Sequence, residues 1–311
     1  MKRGLAILSA ALLLLLPSCG AKQANKPQAA AQRAETAPVK NTGTFTFTAE
    51  SFPRMGGSPA NLPMGEAVAA TVLGVSREKA DEAISFSNST TDCYKGLVDG
   101  TFDILIVYEP GEKAKAYIGE KQTVLEARPI GTDALAFVCS KKNKVKSLTL
   151  DQIKGIYSGK IKKWKEVGGK NEDILAYQCG KSTGSQALFN KLVGLGDKLM
   201  GAPVDLLLSS TDGLRETVAQ YEGSENALGY TIYRRLAAGE DDRFTTSKIL
   251  EVDGVTPSNE TIKSGKYPLT DDFFVVIRKD APQDSPQRIL YNWICSAQGK
   301  ALIEQEYYTA K

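Results

Sequence analysis

The feature that most constrains this fold is an alternation, from about residue 43 onward, of short apolar runs with helical patterns. Strand-like runs are predicted at 44–49, 103–108, 133–140, 173–178, 227–233, 248–252 and 273–278. Several are almost continuously apolar, as in DILIVY and FFVVIR, which is typical of strands buried on both faces. The alternation predicts an α/β fold with mixed sheets and a connection through helices.

Between these runs, apolar residues recur at the spacing of amphipathic helices. The clearest sets are Leu150, Ile153, Ile156 and Tyr157; Leu188, Leu192 and Leu195; and Leu290, Ile294, Ala297 and Ala301. No internal repeat and no second long apolar segment accompanies them.

The N-terminus has the pattern of an export signal. Two basic residues precede an apolar stretch from Leu5 to Leu16, which is too short to span a bilayer. The ending Leu16-Pro17-Ser18-Cys19 resembles a bacterial lipobox, although Pro17 is unusual there. We expect residues 1–18 to be a lipoprotein signal peptide and Cys19 to carry the lipid that attaches the chain to the membrane. The alternative is a signal peptide that is cleaved without lipidation.

Residues 19–42 are expected to form a flexible tether, because they are rich in Ala, Gln, Pro and Lys and hold little apolar surface to bury. The folded part would run over 43–311, a length that suits two lobes. It carries 33 basic and 35 acidic residues, a net charge of −2. A folded part with this net charge and no stripe of Lys and Arg residues is not typical of a nucleic-acid-binding protein.

The chain contains no histidine. Catalytic sites that use imidazole as a base, and histidine metal sites, are therefore excluded, and we expect neither an enzyme nor a bound cofactor or metal. Besides Cys19 there are four cysteines: Cys93, Cys139, Cys179 and Cys295. Their even number permits two disulfides, but four free thiols are an equal alternative.

Three loops have the composition of anion-binding segments. The first spans 56–74 and contains Gly, Ser and an early-helix Pro; the second spans 85–100 and is rich in Ser and Thr. The third is QCGKSTGSQALF, where hydroxyl residues precede a helical pattern. A single hydroxyl before a helix is usually only an N-cap. Three such loops in one α/β chain favour a shared cleft at the ends of strands, where backbone N–H and O–H groups bind an anion.

The block from Pro129 to Tyr177, with PIGTDAL, SLTLDQI and IYSGKIKKWKEVGG, closely resembles the phosphate ABC-transporter substrate-binding proteins. NALGYTIY and KYPLTDDFFVVIRKDAP are similar to further blocks of that family. The resemblance covers nearly the whole mature chain. It implies a two-lobed periplasmic-binding-protein fold of type 2, with lobe 1 at 43–130 plus 236–311 and lobe 2 at 131–235.

The same resemblance implies a function. The chain would be an extracytoplasmic, lipid-anchored monomer that captures inorganic phosphate between its lobes and delivers it to the permease subunits of an ABC importer. It would perform no covalent chemistry.

The family's ligand loops map onto eleven residues of this sequence. They are Ser58, Asn61 and Leu62 in the first loop; Ser89, Thr90 and Thr91 in the second; Glu109 after the DILIV run; and Lys181, Thr183, Gly184 and Ser185 in the third. Three positions depart from the pattern. Pro59 replaces a hydroxyl residue, Tyr108 stands where some members have an aspartate, and Cys179 replaces the arginine. Lys181 is a candidate substitute for that arginine's charge, without its bidentate geometry.

These departures leave alternatives open. One is a protein of the same fold that binds a different oxyanion, a phosphorylated metabolite or a small organic acid. Another is a lipoprotein that uses the scaffold for sensing or adhesion without transport. Trp164 and the lysines at 160, 162, 163 and 165 are interpreted as a core residue and a solvated surface, respectively.

Overall fold

The computed structural model describes residues 41, 43, 45–86, 89–180, 184–202, 207–208, 225–237 and 247–311. All of them fall within one compact unit, residues 34–311. The expected signal peptide, Cys19 and nearly all of the expected tether lie outside the described residues, as do Lys181 and Thr183.

The described strands form one mixed sheet and a separate two-stranded pair. In chain order they are β1 Met55–Gly57, β2 Ile84–Ser85, β3 Ile104–Tyr108, β4 Leu125–Ser140, β5 Ser147–Leu148, β6 Leu175–Ala176, β7 Gln178–Cys179, β8 Leu207–Leu208, β9 Ala227–Ile232, β10 Ser247–Val252, β11 Thr270–Arg278 and β12 Thr309–Ala310. The main path is β2-β1-β3-β11-β4-β10-β5, with β9 and β12 also on β4, β6 on β9, and β7 paired with β8. The mixed α/β architecture predicted from the sequence is confirmed.

Helices cover the sheet on several sides. They are α1 Leu62–Leu73, α2 Arg77–Asp81, α3 Thr90–Val98, α4 Glu112–Glu120, α5 Leu150–Tyr157, α6 Gly184–Val193, α7 Tyr233–Ala237, α8 Asn259–Lys263, α9 Pro286–Ile294 and α10 Ala297–Gln305. Short 3-10 helices lie at Pro59–Asn61, Trp164–Val167 and Gly196–Lys198. Among the described residues, no helix is long and apolar enough to cross a membrane.

Strand β4 runs through both halves of the sheet. Its 16 residues include far more than the predicted strand at 133–140. Residues 125–134 pair with β11, which in turn pairs with β3. Residues 135–139 pair with β9, and 137–140 with β10 on the other side. One continuous strand therefore joins the β1–β3–β11 half of the sheet to the β9–β10 half, and the partners change between Ala134 and Leu135.

Three sequence predictions of secondary structure were wrong in detail. Of the run at 44–49, the described residues 45–49 form no strand: the Phe45 and Phe47 rings pack with centroids 5.1 Å apart, and the Phe47 and Phe52 rings with centroids 5.8 Å apart. The run at 173–178 is divided into the very short β6 and β7. The C-terminal helical pattern is broken at Ser296, the N-cap of α10, whose side chain accepts a hydrogen bond from the Gly299 amide. The first run is shaped by packing between aromatic rings, whereas the break at Ser296 comes from a local cap that apolar periodicity does not reveal.

The core of the β9–β10 half is built from aromatic side chains. Phe137, Tyr157, Phe189 and Tyr230 are in mutual ring contact, with Phe189 stacked on Tyr230 at 4.4 Å. Trp164 is 1% exposed, and its indole N–H donates to the Asn226 carbonyl at 2.9 Å. The interpretation of Trp164 as a core residue is confirmed. The lysines at 160, 162 and 165 are exposed, and Lys163 is half-buried.

Candidate functional site

Three chain segments meet at one edge of the sheet. β1 and β3 run parallel, with Gly57 opposite Ile106, and β11 runs antiparallel to β3, with Phe273 opposite Tyr108. The residues just after β1 and β3 therefore lie beside the first residues of β11. Because these strand ends share an edge, the first loop, Glu109 and the start of β11 are neighbours.

The first loop buries polar atoms that have no partner. Ser58 is 5% exposed and Asn61 is 1% exposed. The Ser58 hydroxyl and both polar atoms of the Asn61 amide make no hydrogen bond with any part of the chain that the structure describes. An unpaired buried polar group costs roughly 1–3 kcal/mol, so such groups indicate a missing partner. The third predicted residue of this loop, Leu62, does not offer an unpaired group in the same way, because its backbone N–H already donates to the Pro59 carbonyl.

The backbone of the first loop is held in place by close packing. A Cβ atom added at Gly57 would lie 2.1 Å from the Phe86 ring and 2.4 Å from the Ile106 carbonyl oxygen. Only glycine allows the strand to pass this closely before it turns into the 3-10 helix and α1. The close packing of the Phe86 ring against Gly57 therefore fixes the backbone position from which the loop with Ser58 and Asn61 starts.

The second loop divides its three predicted residues between two roles. Ser89 is the N-cap of α3: its hydroxyl accepts from the Asp92 amide at 3.2 Å and donates to the Asp92 carboxylate at 2.7 Å. Thr90 and Thr91 occupy the first turn of α3 and are half-buried. Ser89 is therefore engaged locally, whereas the two threonine side chains stand at the helix N-terminus.

Helix α6 brings the third loop to the first one. Gly184 and Ser185 are the first two residues of α6, which lies against the 3-10 helix at Pro59–Asn61. Lys181 and Thr183 are outside the described residues, so their placement stays a prediction. The structure thus brings Gly184 and Ser185 onto a helix that contacts the loop of Ser58 and Asn61.

Cys179, the position of the family's arginine, points into the core. It is 5% exposed, and its backbone N–H donates to the Tyr230 hydroxyl at 3.1 Å. That hydroxyl donates to the Gln186 side chain, whose amide N–H donates to Asn190 at 2.8 Å. The cysteine is therefore part of the packing between β7, β9 and α6.

All four cysteines of the described region are free thiols. This resolves the alternative left open by the sequence. Burial raises the pKa of Cys93 to about 12 and that of Cys139 to about 11, so these thiols stay protonated and unreactive at neutral pH.

Two buried carboxylates lie at the point where β4 changes partners. Asp133 on β4 and Asp271 on β11 are cross-strand partners, 2% and 9% exposed. One Asp133 oxygen accepts from the backbone amides of Ala134 at 2.7 Å and Arg234 at 3.3 Å. Burial raises the pKa of Asp133 to about 7 and also raises the pKa of Asp271. The second oxygen of each carboxylate has no hydrogen-bond partner in the described chain.

Lys191 faces these acids from the other half of the sheet. Its ammonium nitrogen, on the last turn of α6, is 2.6 Å from the Asp271 carboxylate and 3.9 Å from that of Glu109. The Glu109 side chain is 64% exposed, so the predicted acceptor lies at the rim. Sequence reasoning missed Asp133, Asp271 and Lys191. A signal was present for the acids, since Asp133 directly precedes a buried apolar run and Asp271 stands two residues before another.

The described residues contain no group of three or more Cys, Asp or Glu side chains that could hold a metal ion. In the described part of the cleft, the polar groups are instead hydroxyl and amide groups, helix N-termini, carboxylates and the Lys191 ammonium. Such a set suits a small hydrogen-bonding ligand that is enclosed between two halves of a protein.

Residues 36–304 match the family model described as the PBP superfamily domain. The chain belongs to this superfamily, and its fold is the two-lobed periplasmic-binding-protein fold expected from the sequence. Among curated proteins, it is 28% identical over 272 residues to the phosphate-binding protein PstS of Bacillus subtilis (strain 168), covering 85% of this chain and 79% of the relative.

Two further relatives have names of the same kind. The phosphate-binding protein PstS of Borreliella burgdorferi is 24% identical over 216 residues, covering 68% of this chain and 73% of the relative. An ABC-type phosphate transport receptor from Vibrio cholerae has a similar structure, with a TM-score of 0.67, 23% identity and coverage of 82% of this chain and 98% of the receptor. At that identity the structural likeness shows the fold alone.

Proposed function

We propose that this protein is an extracytoplasmic receptor that binds inorganic phosphate between its two lobes and delivers it to an ABC importer. The observation that carries the proposal is the pair of buried, unpartnered side chains, Ser58 and Asn61, at the edge where the two halves meet. The names of the PstS relatives support phosphate as the ligand.

In the proposed complex, the anion is held mainly by neutral donors. Ser58, Asn61, Thr90 and Thr91 supply hydroxyl and amide groups from lobe 1, and Gly184 and Ser185 supply backbone amides at the start of α6. The positive ends of α1, α3 and α6 favour negative charge at these N-termini. Lys181 and Thr183 complete the third loop, as predicted from the sequence, while Ser89 and Leu62 act through local backbone structure.

We assign the acceptor for the ligand's own proton to Asp271, with Glu109 at the rim. The Asp271 oxygen that Lys191 does not contact is buried and unpartnered. A carboxylate there accepts a hydrogen bond from a protonated oxyanion and repels an anion that has no proton to donate. Phosphate, which keeps a proton at neutral pH, would then be preferred over sulfate.

The cellular setting is proposed from the sequence. Residues 1–18 would be removed, Cys19 would be lipidated, and 19–42 would tether a monomeric body to the membrane. The lobes would be 43–130 plus 236–311 and 131–235, with β10 inside the range 236–311 counted with the second lobe because it pairs with residues 137–140 of β4. The change of β4 partners between Ala134 and Leu135 supports a boundary a few residues beyond 130. The protein would act by binding and closure, without covalent chemistry and without nucleic acid.

Thermal unfolding with increasing phosphate tests this function. A ligand at a hundredfold excess over its Kd raises the free energy of unfolding by about 2.7 kcal/mol, so the melting temperature should rise with phosphate. Sulfate at the same ionic strength is the control and should have little effect. Absence of any shift in millimolar phosphate would contradict the proposal.

A second candidate ligand is favoured by one observation, the buried cysteine in place of the family's arginine. If the site has lost affinity for phosphate, another protonated oxyanion or a small phosphorylated or carboxylic compound would fit the same donors. The same unfolding assay with a panel of such anions distinguishes the candidates, because the true ligand gives the largest shift at equal concentration.

A further inference from the structure

We propose that Lys191 is a positioning residue that sets the closed state of the two lobes through an interlobe ion pair with Asp271 and Glu109. The proposal rests on the proposed function only in taking the two halves of the sheet as lobes that open and close. Lys191 would act on affinity without being one of the hydroxyl and amide groups that bind the ligand.

Lys191 and its two acidic partners lie in different halves of the sheet. Lys191 lies on α6, which packs on β9 and β4. Asp271 begins β11 and Glu109 follows β3, both in the other half of the sheet. The 2.6 Å contact between the Lys191 ammonium and the Asp271 carboxylate therefore crosses from one half to the other. Opening the lobes would separate these charges.

The two charges of the ion pair differ in burial. The Asp271 side chain is 9% exposed and that of Lys191 is 42% exposed. A fully exposed ion pair contributes little, since water solvates both charges equally well when they are apart. A carboxylate that is buried in the closed state depends on its partner, because an uncompensated buried charge is strongly unfavourable. Without Lys191, the open state, in which water can reach Asp271, gains population.

The surroundings of Asp271 are rich in acidic groups. Asp271 is surrounded by Asp133 across the strand pair, Glu109 beyond β3, the phenol of Tyr108, and Asp272 next in the chain, whose own carboxylate pairs with Lys311 at 3.0 Å. Arg234 lies on the Asp133 side and contacts the Tyr308 ring. The ammonium group of Lys191 lies within 3.9 Å of the carboxylates of both Asp271 and Glu109. Removing it leaves carboxylates that oppose both lobe closure and entry of an anion.

Small-angle X-ray scattering on the ligand-free protein tests the inference directly. Lys191→Met keeps the aliphatic length and removes the charge, so we expect a larger radius of gyration than in the wild type. Lys191→Arg keeps the charge and should restore the wild-type value. Lys115→Met is the matched control, because it removes the lysine of an exposed pair with Glu112 within a single helix. Equal radii for the wild type and Lys191→Met would overturn the proposal.

Salt gives a second readout that a merely structural role would not produce. Raising the ionic strength should expand the wild type toward the Lys191→Met value and leave the variant unchanged, since partly exposed charges are screened. Circular dichroism and thermal unfolding check that each variant is folded. An identical salt response in the two proteins would contradict an ionic origin.

The rate at which phosphate dissociates shows whether the ion pair helps to retain the ligand. For Lys191→Met we expect phosphate to dissociate about five- to tenfold faster, with a smaller change in the association rate, because closure retains the ligand. An unchanged dissociation rate would refute the role in affinity. If phosphate failed to bind even the wild type, the proposed function would fail, while the scattering result would still decide the ion pair.

Discussion

Asp133 and Asp271 face each other across neighbouring antiparallel strands, at the point where β4 passes from one half of the sheet to the other. Each is buried, each has one oxygen without a hydrogen-bond partner among the described residues, and each has its pKa raised by burial. The charge at the junction of the two halves therefore depends on pH, and its cost depends on the cations that lie near these two carboxylates.

Asp133 should make stability fall as the pH rises. Its pKa is about 7 in the folded chain against 3.8 in the reference state, so the folded protein binds the proton more tightly than the unfolded one. The contribution of Asp133 to stability is therefore fully present below about pH 4 and is lost progressively up to about pH 7. The change is at most about 4 kcal/mol. Urea unfolding at a series of pH values measures it.

Asp133→Asn should remove that part of the pH dependence, because the amide does not titrate yet keeps an oxygen for the two backbone amides. Asp280→Asn, at an exposed carboxylate, is the control and should retain the wild-type slope. If the slopes of wild type and Asp133→Asn coincide between pH 4 and 7, the assignment to Asp133 is wrong.

Ser58→Ala should weaken phosphate binding by about tenfold while leaving the free protein as stable as the wild type or slightly more stable. The hydroxyl is buried and unpartnered without ligand, so its removal costs the free protein nothing and costs the complex one hydrogen bond. Calorimetric titration gives the affinity and thermal unfolding the stability. Ser51→Ala, at an exposed hydroxyl that bonds only Thr48, is the control. Unchanged affinity in Ser58→Ala would exclude Ser58 from the site.

Cys179→Arg should destabilise the protein without restoring tighter phosphate binding. The side chain at 179 is packed against Tyr230, and a guanidinium there would be buried without a counter-charge, at a cost of about 3 kcal/mol or more. Cys179→Ala, which preserves the packing approximately, should remain close to the wild type. A gain in phosphate affinity in the arginine variant would show that the position reaches the ligand after all.

Gly57→Ala should be far more harmful than Gly111→Ala. At Gly57 the new methyl group would meet the backbone oxygen of Ile106 at 2.4 Å, and neither strand can shift without disturbing the first loop. We expect a loss of at least about 2 kcal/mol together with weaker ligand binding. At Gly111 nothing lies within 4 Å of the added carbon, so stability should hardly change. Similar melting temperatures for the two variants would contradict this reading of the first loop.

The sequence predicted which loops place polar residues at helix starts. Ser58 does precede the 3-10 helix that leads into α1, and the hydroxyl residues of the second loop stand at the start of α3, because an N-terminal turn is encoded locally by Ser, Thr and Pro. Two of the predicted site residues, Ser89 and Leu62, are however engaged in local hydrogen bonds, which the sequence did not indicate. Asp271 and Lys191 could not be paired from the sequence, since 80 residues separate them and each resembles an ordinary surface charge.

The sequence by itself determined the α/β class, most of the apolar strands and helices, and the absence of imidazole chemistry, because strand burial, helical periodicity and composition are local properties. Only the tertiary structure decided that β4 serves both halves of the sheet and that Cys179 faces the core. It also decided that Asp133, Asp271 and Lys191 meet where the halves join. These relationships depend on strand register and helix packing, which fix distances between residues far apart in the chain and leave no mark on the local pattern.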